Sequence, residues 1–148
     1  TAGQIIDEAV IASLEYAVTV LGVRLPVVLG HQNCGAIKQV SKDYEALLHE
    51  LTADAEDSLM AADSISDIDE RICDSDSIMM RTVGFSIWQA HESELESSED
   101  FERVHIARTI ELLVEQSEAI QQALAADKLM IVGARYQLDS GKVEVLSF

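Results

Sequence analysis

The apolar run over residues 23–29 stops at Gly30 and is followed at once by His31-Gln32-Asn33-Cys34-Gly35-Ala36. Leu25, Val27, Val28 and Leu29 stand almost without interruption, the pattern of a strand buried on both faces of a parallel sheet. Such a strand needs helices to cover it, and both flanks supply them. Upstream, Ile6, Ala9, Val10, Leu14, Ala17, Val18 and Leu21 recur at three- and four-residue steps, with Asp7 and Glu8 in the first turn. This predicts an amphipathic helix over 5–21, ended by Gly22. Downstream, Ile37, Val40, Tyr44, Leu47, Leu48 and Leu51 predict a second helix over 36–51.

The remainder extends the same α/β reading. Residues 52–76, rich in Asp, Glu, Ser and Ala, read as a surface helical excursion, and 92–100 as an acidic loop between helices over 79–90 and 101–126. The stretch 128–134 is a second buried strand, and Asp139-Ser140-Gly141-Lys142 turns it into a hairpin with Val143–Leu146. Two buried strands and an edge hairpin are few for this much helix, because an open α/β sheet usually has about four or more strands. Either helices do more of the packing or strands are missing.

Composition narrows the function. A chain of 148 residues, 48% hydrophobic with one proline, is expected to form a single domain over 1–148. Ten basic against 27 acidic residues, a formal charge of −17, repel phosphate backbones and exclude nucleic acid as a partner, while a small neutral substrate is compatible. No apolar run approaches the roughly 18–20 residues that span a bilayer, and no signal peptide is visible, so no membrane partner and a cytoplasmic location are expected. Two cysteines, Cys34 and Cys73, suit a reducing compartment, with a bridge between them left open.

His31 and Cys34 place an imidazole and a thiol on one turn into a helix, whose first amides favour the thiolate that a metal requires. Zinc is the candidate ion, but a zinc centre takes three or four protein donors. The other candidates read as structural. Cys73 is expected to be a structural thiol, His49, His91 and His105 solvated or capping, and Tyr136 and Trp88 packing residues. Gly35 and Gly133 are expected to allow close backbone approach. The carboxylates of 92–100 lack the spacing and central glycine of a calcium loop.

Several segments, in order, resemble the β-class carbonic anhydrases. Thr1-Ala2-Gly3-Gln4 is similar to the end of the family's Arg-x-Ala-Gly-Asn stretch, and Ser13-Leu14-Glu15-Tyr16-Ala17-Val18 with Leu21-Gly22-Val23 follows as in the family. The segment Val28-Leu29-Gly30-His31-Gln32-Asn33-Cys34-Gly35-Ala36 is similar to its second zinc motif. The stretch from Ile131 through Gly133-Ala134-Arg135-Tyr136 to Gly141 looks like its last core strand and hairpin.

The resemblance implies a three-layer α/β fold with a mostly parallel sheet, a Zn2+ cofactor held in part by His31 and Cys34, and reversible hydration of CO2 to bicarbonate. It also implies a homodimer or higher homo-oligomer, because the family builds its sites at a subunit interface. The family's first motif, Cys-x-Asp-Ser-Arg, supplies another thiolate and an Asp-Arg pair, and it does not occur here. Cys73-Asp74-Ser75-Asp76-Ser77 looks like it, but the carboxylate offset is wrong and no arginine follows. The expectation is therefore a domain lacking its N-terminal strands and incomplete for catalysis by itself. The alternatives are a catalytically inactive binding or structural domain, or a related zinc hydrolase of carbonyl sulfide or carbon disulfide.

Overall fold

The computed structural model of the chain describes residues 1–56 and 68–147. Its sheet has three strands, β1 (Val27–His31), β2 (Val132–Tyr136) and β3 (Val143–Leu146), in the order β1-β2-β3. β1 and β2 run parallel, with Val27 opposite Val132 and His31 opposite Tyr136. β3 returns antiparallel, with Gly133 opposite Leu146 and Tyr136 opposite Val143. Parallel pairing demands a crossover, and here the crossover carries most of the helices. The chain runs α1 (Glu8–Thr19), β1, α2 (Gly35–Glu56), α3 (Ile68–Cys73), α4 (Ile78–Glu92), α5 (Ser98–Gln116), α6 (Glu118–Ala125), β2 and β3, preceded by a 3-10 turn at Ala2–Gln4.

α5 lies across β1 and β2 and connects the two cores. One core gathers α2, α3 and α4 around Val40, Tyr44, Ile72, Val83, Ile87 and Phe101. The other joins Leu113, Ile120 and Leu129 to Leu14 and Val18 of α1. Contact between α5 and β1 is close because of Gly30. A Cβ there would lie 2.6 Å from Cδ1 of Ile106, so only glycine lets the helix sit this near the strand.

The α/β class, the three strands and the hairpin agree with expectation; several details do not. β1 is not covered on both faces: Val27 and Leu29 are 51% and 50% exposed. By register they share an outward face with Tyr136, Val143 and Val145, all exposed, so one side of the sheet is an uncovered apolar surface. Tyr136 is accordingly not a packing residue, whereas Trp88 is, meeting Phe85 edge-on at 6.2 Å. The second strand begins at Val132, and Met130, expected within it, is exposed.

The helix expected over 101–126 is two helices. Ser117 breaks it with an extended backbone (φ −131, ψ 107) and accepts from the Ile120 amide to cap α6. Its hydroxyl also donates to Glu15 of α1 at 2.6 Å, so the break docks a third helix. Of the 52–76 excursion, residues 57–67 lie outside the described residues, and Ile68 and Ile72 are core rather than surface. The acidic loop is shorter than 92–100, because Ser97 and Asp100 form a reciprocal capping box that starts α5. Gly35 has open space where its Cβ would point, so the close approach belongs to Gly30 instead.

Gly30→Ala should destabilise the fold by about 1–3 kcal/mol through overpacking against Ile106. Urea unfolding would measure this, and adding Ile106→Val, which removes the nearest clashing carbon, should recover part of the loss.

Candidate functional site

β1 ends at His31, whose ring is exposed, with Nδ1 3.0 Å from the backbone carbonyl of Gln32. A carbonyl only accepts, so Nδ1 carries the proton and Nε2 keeps a free lone pair, the arrangement that a metal-binding imidazole needs. The turn is then made by Asn33 in the left-handed region (φ 58), which Asn tolerates better than most residues. Lys38 Nζ donates to its side-chain oxygen at 2.9 Å. Cys34 follows at the entrance to α2, its carbonyl accepting from the Lys38 amide. The Gln32 amide donates to the Tyr136 carbonyl at 2.8 Å, and its side chain pairs with Asp139, tying the turn to the hairpin.

Two buried charges brace this turn from below. Glu102 of α5 accepts from the Cys34 amide at 3.2 Å through Oε1 and from Arg135 Nε at 2.8 Å through Oε2. Arg135 stands on the central strand, and it also lies within 4 Å of Glu99 and Glu144, which Arg103 bridges at 2.8 and 2.7 Å. The hydrogen bond from Arg103 and then the Arg135 charge hold the Glu99 carboxyl below its ordinary range.

One turn beyond Glu102, His105 is buried. Its Nε2 lies 2.6 Å from the Gly3 carbonyl and its Nδ1 2.8 Å from Ser86 Oγ. The carbonyl fixes the proton on Nε2, so the Ser86 hydroxyl donates to Nδ1. Burial above all, with a smaller contribution from Arg108, lowers the His105 pKa, although the Gly3 bond opposes the shift.

Residues 1–4, Leu29, Gly30, His31, Cys34, residues 35–37, Glu102 and His105 together line a cavity of about 230 Å³. The expected pair His31 and Cys34 thus opens onto one space. His105, expected to be solvated or capping, is instead part of the cavity lining. His91 is also not solvated: it stacks on Tyr44 at 5.1 Å, and burial followed by the Glu92 charge pushes the tyrosine pKa up to about 12. His49 is exposed as expected.

Cys73 is exposed rather than structural, both thiols are free, and the 73–77 segment lies away from the cavity. Glu102 and Arg135 carry no role in the sequence reading, and His105 is read there only as solvated or capping. The readable signal was Arg135, a charge inside an apolar strand, which requires a buried carboxylate partner. Among the described residues no three His, Cys, Asp or Glu side chains come together as a metal cluster. Two donors fall short of the three or four that zinc takes, so these residues alone do not complete a zinc site.

Comparison with known proteins places this arrangement in context. The family model described as carbonic anhydrase matches residues 1–143. Carbonic anhydrase 2 of Mycobacterium tuberculosis is 37% identical over 142 residues, covering 96% of this chain and 58% of the relative. Carbonic anhydrase of Mycolicibacterium smegmatis is 40% identical over 147 residues, covering 99% and 61%. The chain therefore spans about three fifths of these relatives' length. Among solved structures, the β-carbonic anhydrase CcaA superposes with a TM-score of 0.60 at 22% identity, covering 99% of this chain and 65% of that one. A structure reported among two tetrameric β-carbonic anhydrases from Sordaria macrospora gives 0.61 at 18% identity, covering 99% and 66%.

Arg135→Met strands the Glu102 carboxylate in the core and should destabilise the fold by about 3–5 kcal/mol, much of it recovered in Arg135→Met with Glu102→Gln, as a denaturation double-mutant cycle would measure. His105, with its folded pKa depressed, contributes stability that is complete above its unfolded value near 6.5 and is lost as pH falls through the lower folded value. Stability measured between pH 7.5 and 5 should therefore fall less steeply in His105→Gln than in the unmodified chain.

Proposed function

Because this chain belongs to the carbonic anhydrase family, in its β class, we propose that it carries one half of a zinc centre for reversible hydration of CO2 to bicarbonate. The observation behind this reading is the pair His31 and Cys34 on one braced turn, opening onto a single cavity with the imidazole Nε2 left free. His31 and Cys34 would be ligands, and Glu102 would hold the Cys34 backbone in place. The remaining donor and the acid-arginine pair would come from a Cys-x-Asp-Ser-Arg segment outside this sequence.

The sheet supports the same division. β1 is an edge strand with half-exposed apolar side chains, which suits a domain whose first strands are supplied by further chain. We take 1–148 as one such incomplete domain, working as a homo-oligomer; the Sordaria macrospora neighbours are tetrameric. Two free thiols accord with a cytoplasmic location. Among the described residues no helix is long and apolar enough to cross a membrane.

The lack of a third donor among the described residues favours a second reading, a metal-free structural or binding domain. A zinc hydrolase of carbonyl sulfide or carbon disulfide would use the same donor pair, and competition by CS2 separates it from the lead. We expect the isolated chain to retain well under one zinc per chain after dialysis, by elemental analysis, and to hydrate CO2 negligibly. Extending it with the corresponding N-terminal segment of a mycobacterial relative should bring zinc to one equivalent and restore stopped-flow hydration, and His31→Ala or Cys34→Ser should abolish both. A full equivalent on the isolated chain overturns the half-site reading; no zinc on the extended chain favours the metal-free domain.

A further inference from the structure

We propose that His105 is a positioning residue of this site: with Ser86 it fastens the 3-10 turn Ala2–Gln4 as the wall that closes the cavity beside Cys34. The turn's own bonds are few: the Gln4 amide donates to the Thr1 carbonyl at 3.4 Å, and Thr1 Oγ1 donates to the Ile5 carbonyl at 3.0 Å. Gly3 and Gln4 are both left-handed, with φ of 63 and 49, a conformation that is strained for a residue with a side chain such as Gln4. Something outside the turn must stabilise it.

Two contacts do so. A Cβ at Gly3 would lie 2.8 Å from Met79 Sδ and 3.2 Å from Val83 Cγ2, so the backbone is seated directly on α4. Its carbonyl, buried by that seating, accepts the Nε2 proton of His105 at 2.6 Å, while Ser86 donates to Nδ1. Every polar atom of the imidazole is thereby used, in one tautomer, to join the turn to α4 and α5. Gln4 follows on the same turn, with its side-chain Nε2 3.4 Å from the position of a Cβ on Gly30, the residue that precedes His31.

The result is a fixed wall opposite the ligand turn, and Cys34, although it lines the cavity, is only 8% exposed. Glu102 and His105, three residues apart on one face of α5, therefore secure the two sides of the same cavity. The name positioning residue rests on Cys34 being a ligand, but the closure is a property of the metal-free chain, so the two ideas fail separately.

Alkylation by iodoacetamide, followed site by site by peptide mass spectrometry, tests the closure, with exposed Cys73 as the internal standard. In the unmodified chain Cys73 should label quickly and Cys34 slowly. His105→Ala should raise the Cys34 rate about tenfold, the effect expected from losing one buried hydrogen bond, with Cys73 unchanged. His105→Asn, whose amide reaches only the Nδ1 position, should behave like alanine. His105→Gln, which returns a donor to the Nε2 position, should restore protection. Gly3→Ala should expose Cys34 with His105 intact.

Unchanged Cys34 labelling in His105→Ala overturns the proposal, as does His105→Gln labelling as fast as alanine. Nitrogen-15 NMR of the unmodified chain provides a check independent of any variant: the His105 proton must reside on Nε2, and a proton on Nδ1 overturns it.

Discussion

The ion pair between Glu102 and Arg135 holds the architecture of this protein together. Arg135 stands on the central strand, Glu102 on the helix that crosses it, and the second oxygen of Glu102 takes the Cys34 amide. Sheet, covering helix and ligand turn are thus joined through one carboxylate. Burying two charges is expensive, and here the expense is offset because Glu99 and Glu144 lie around the guanidinium and because the free carboxylate oxygen finds a backbone donor. Stability is a weak reason to retain such a pair. Registry is a stronger one, since no apolar replacement would fix the distance from α5 to the turn after β1.

The elements were legible in the sequence wherever a single periodicity governed them. The amphipathic steps of α1 and α2, the apolar run of β1 and the turn into β3 were all readable, and so was the histidine-cysteine pair. What escaped depended on contacts distant in sequence. Ser117 lies within a continuous helical pattern, and only its bonds to Ile120 and to Glu15, 102 residues away, explain the break. His105 looks like an ordinary helix-surface polar residue until Gly3 and Ser86 arrive on either side of it. The expectation that β1 is covered on both faces rested on its unbroken apolar run, and it failed because residue type does not say which faces helices cover: Val27 and Leu29 stand half-exposed.

That mismatch and the donor count point the same way. Among the described residues, β1 is apolar enough for the middle of a sheet yet stands at its edge, and His31 and Cys34 come together without a third donor. The ligand turn is nevertheless already shaped, by hydrogen bonds that involve no metal.

Those bonds share a property. The His31 ring is oriented by the carbonyl of residue 32, Glu102 grips the amide of residue 34, and His105 grips the carbonyl of residue 3. In each case one partner is main chain, and main-chain groups survive almost any substitution at their own position. The main-chain bonds of residues 32 and 34 are therefore indifferent to the side chains carried there, whereas Gly3 and Gly30 admit no Cβ without displacing Met79 or Ile106, and Glu102 and His105 are the side chains on which the shape of the cavity depends.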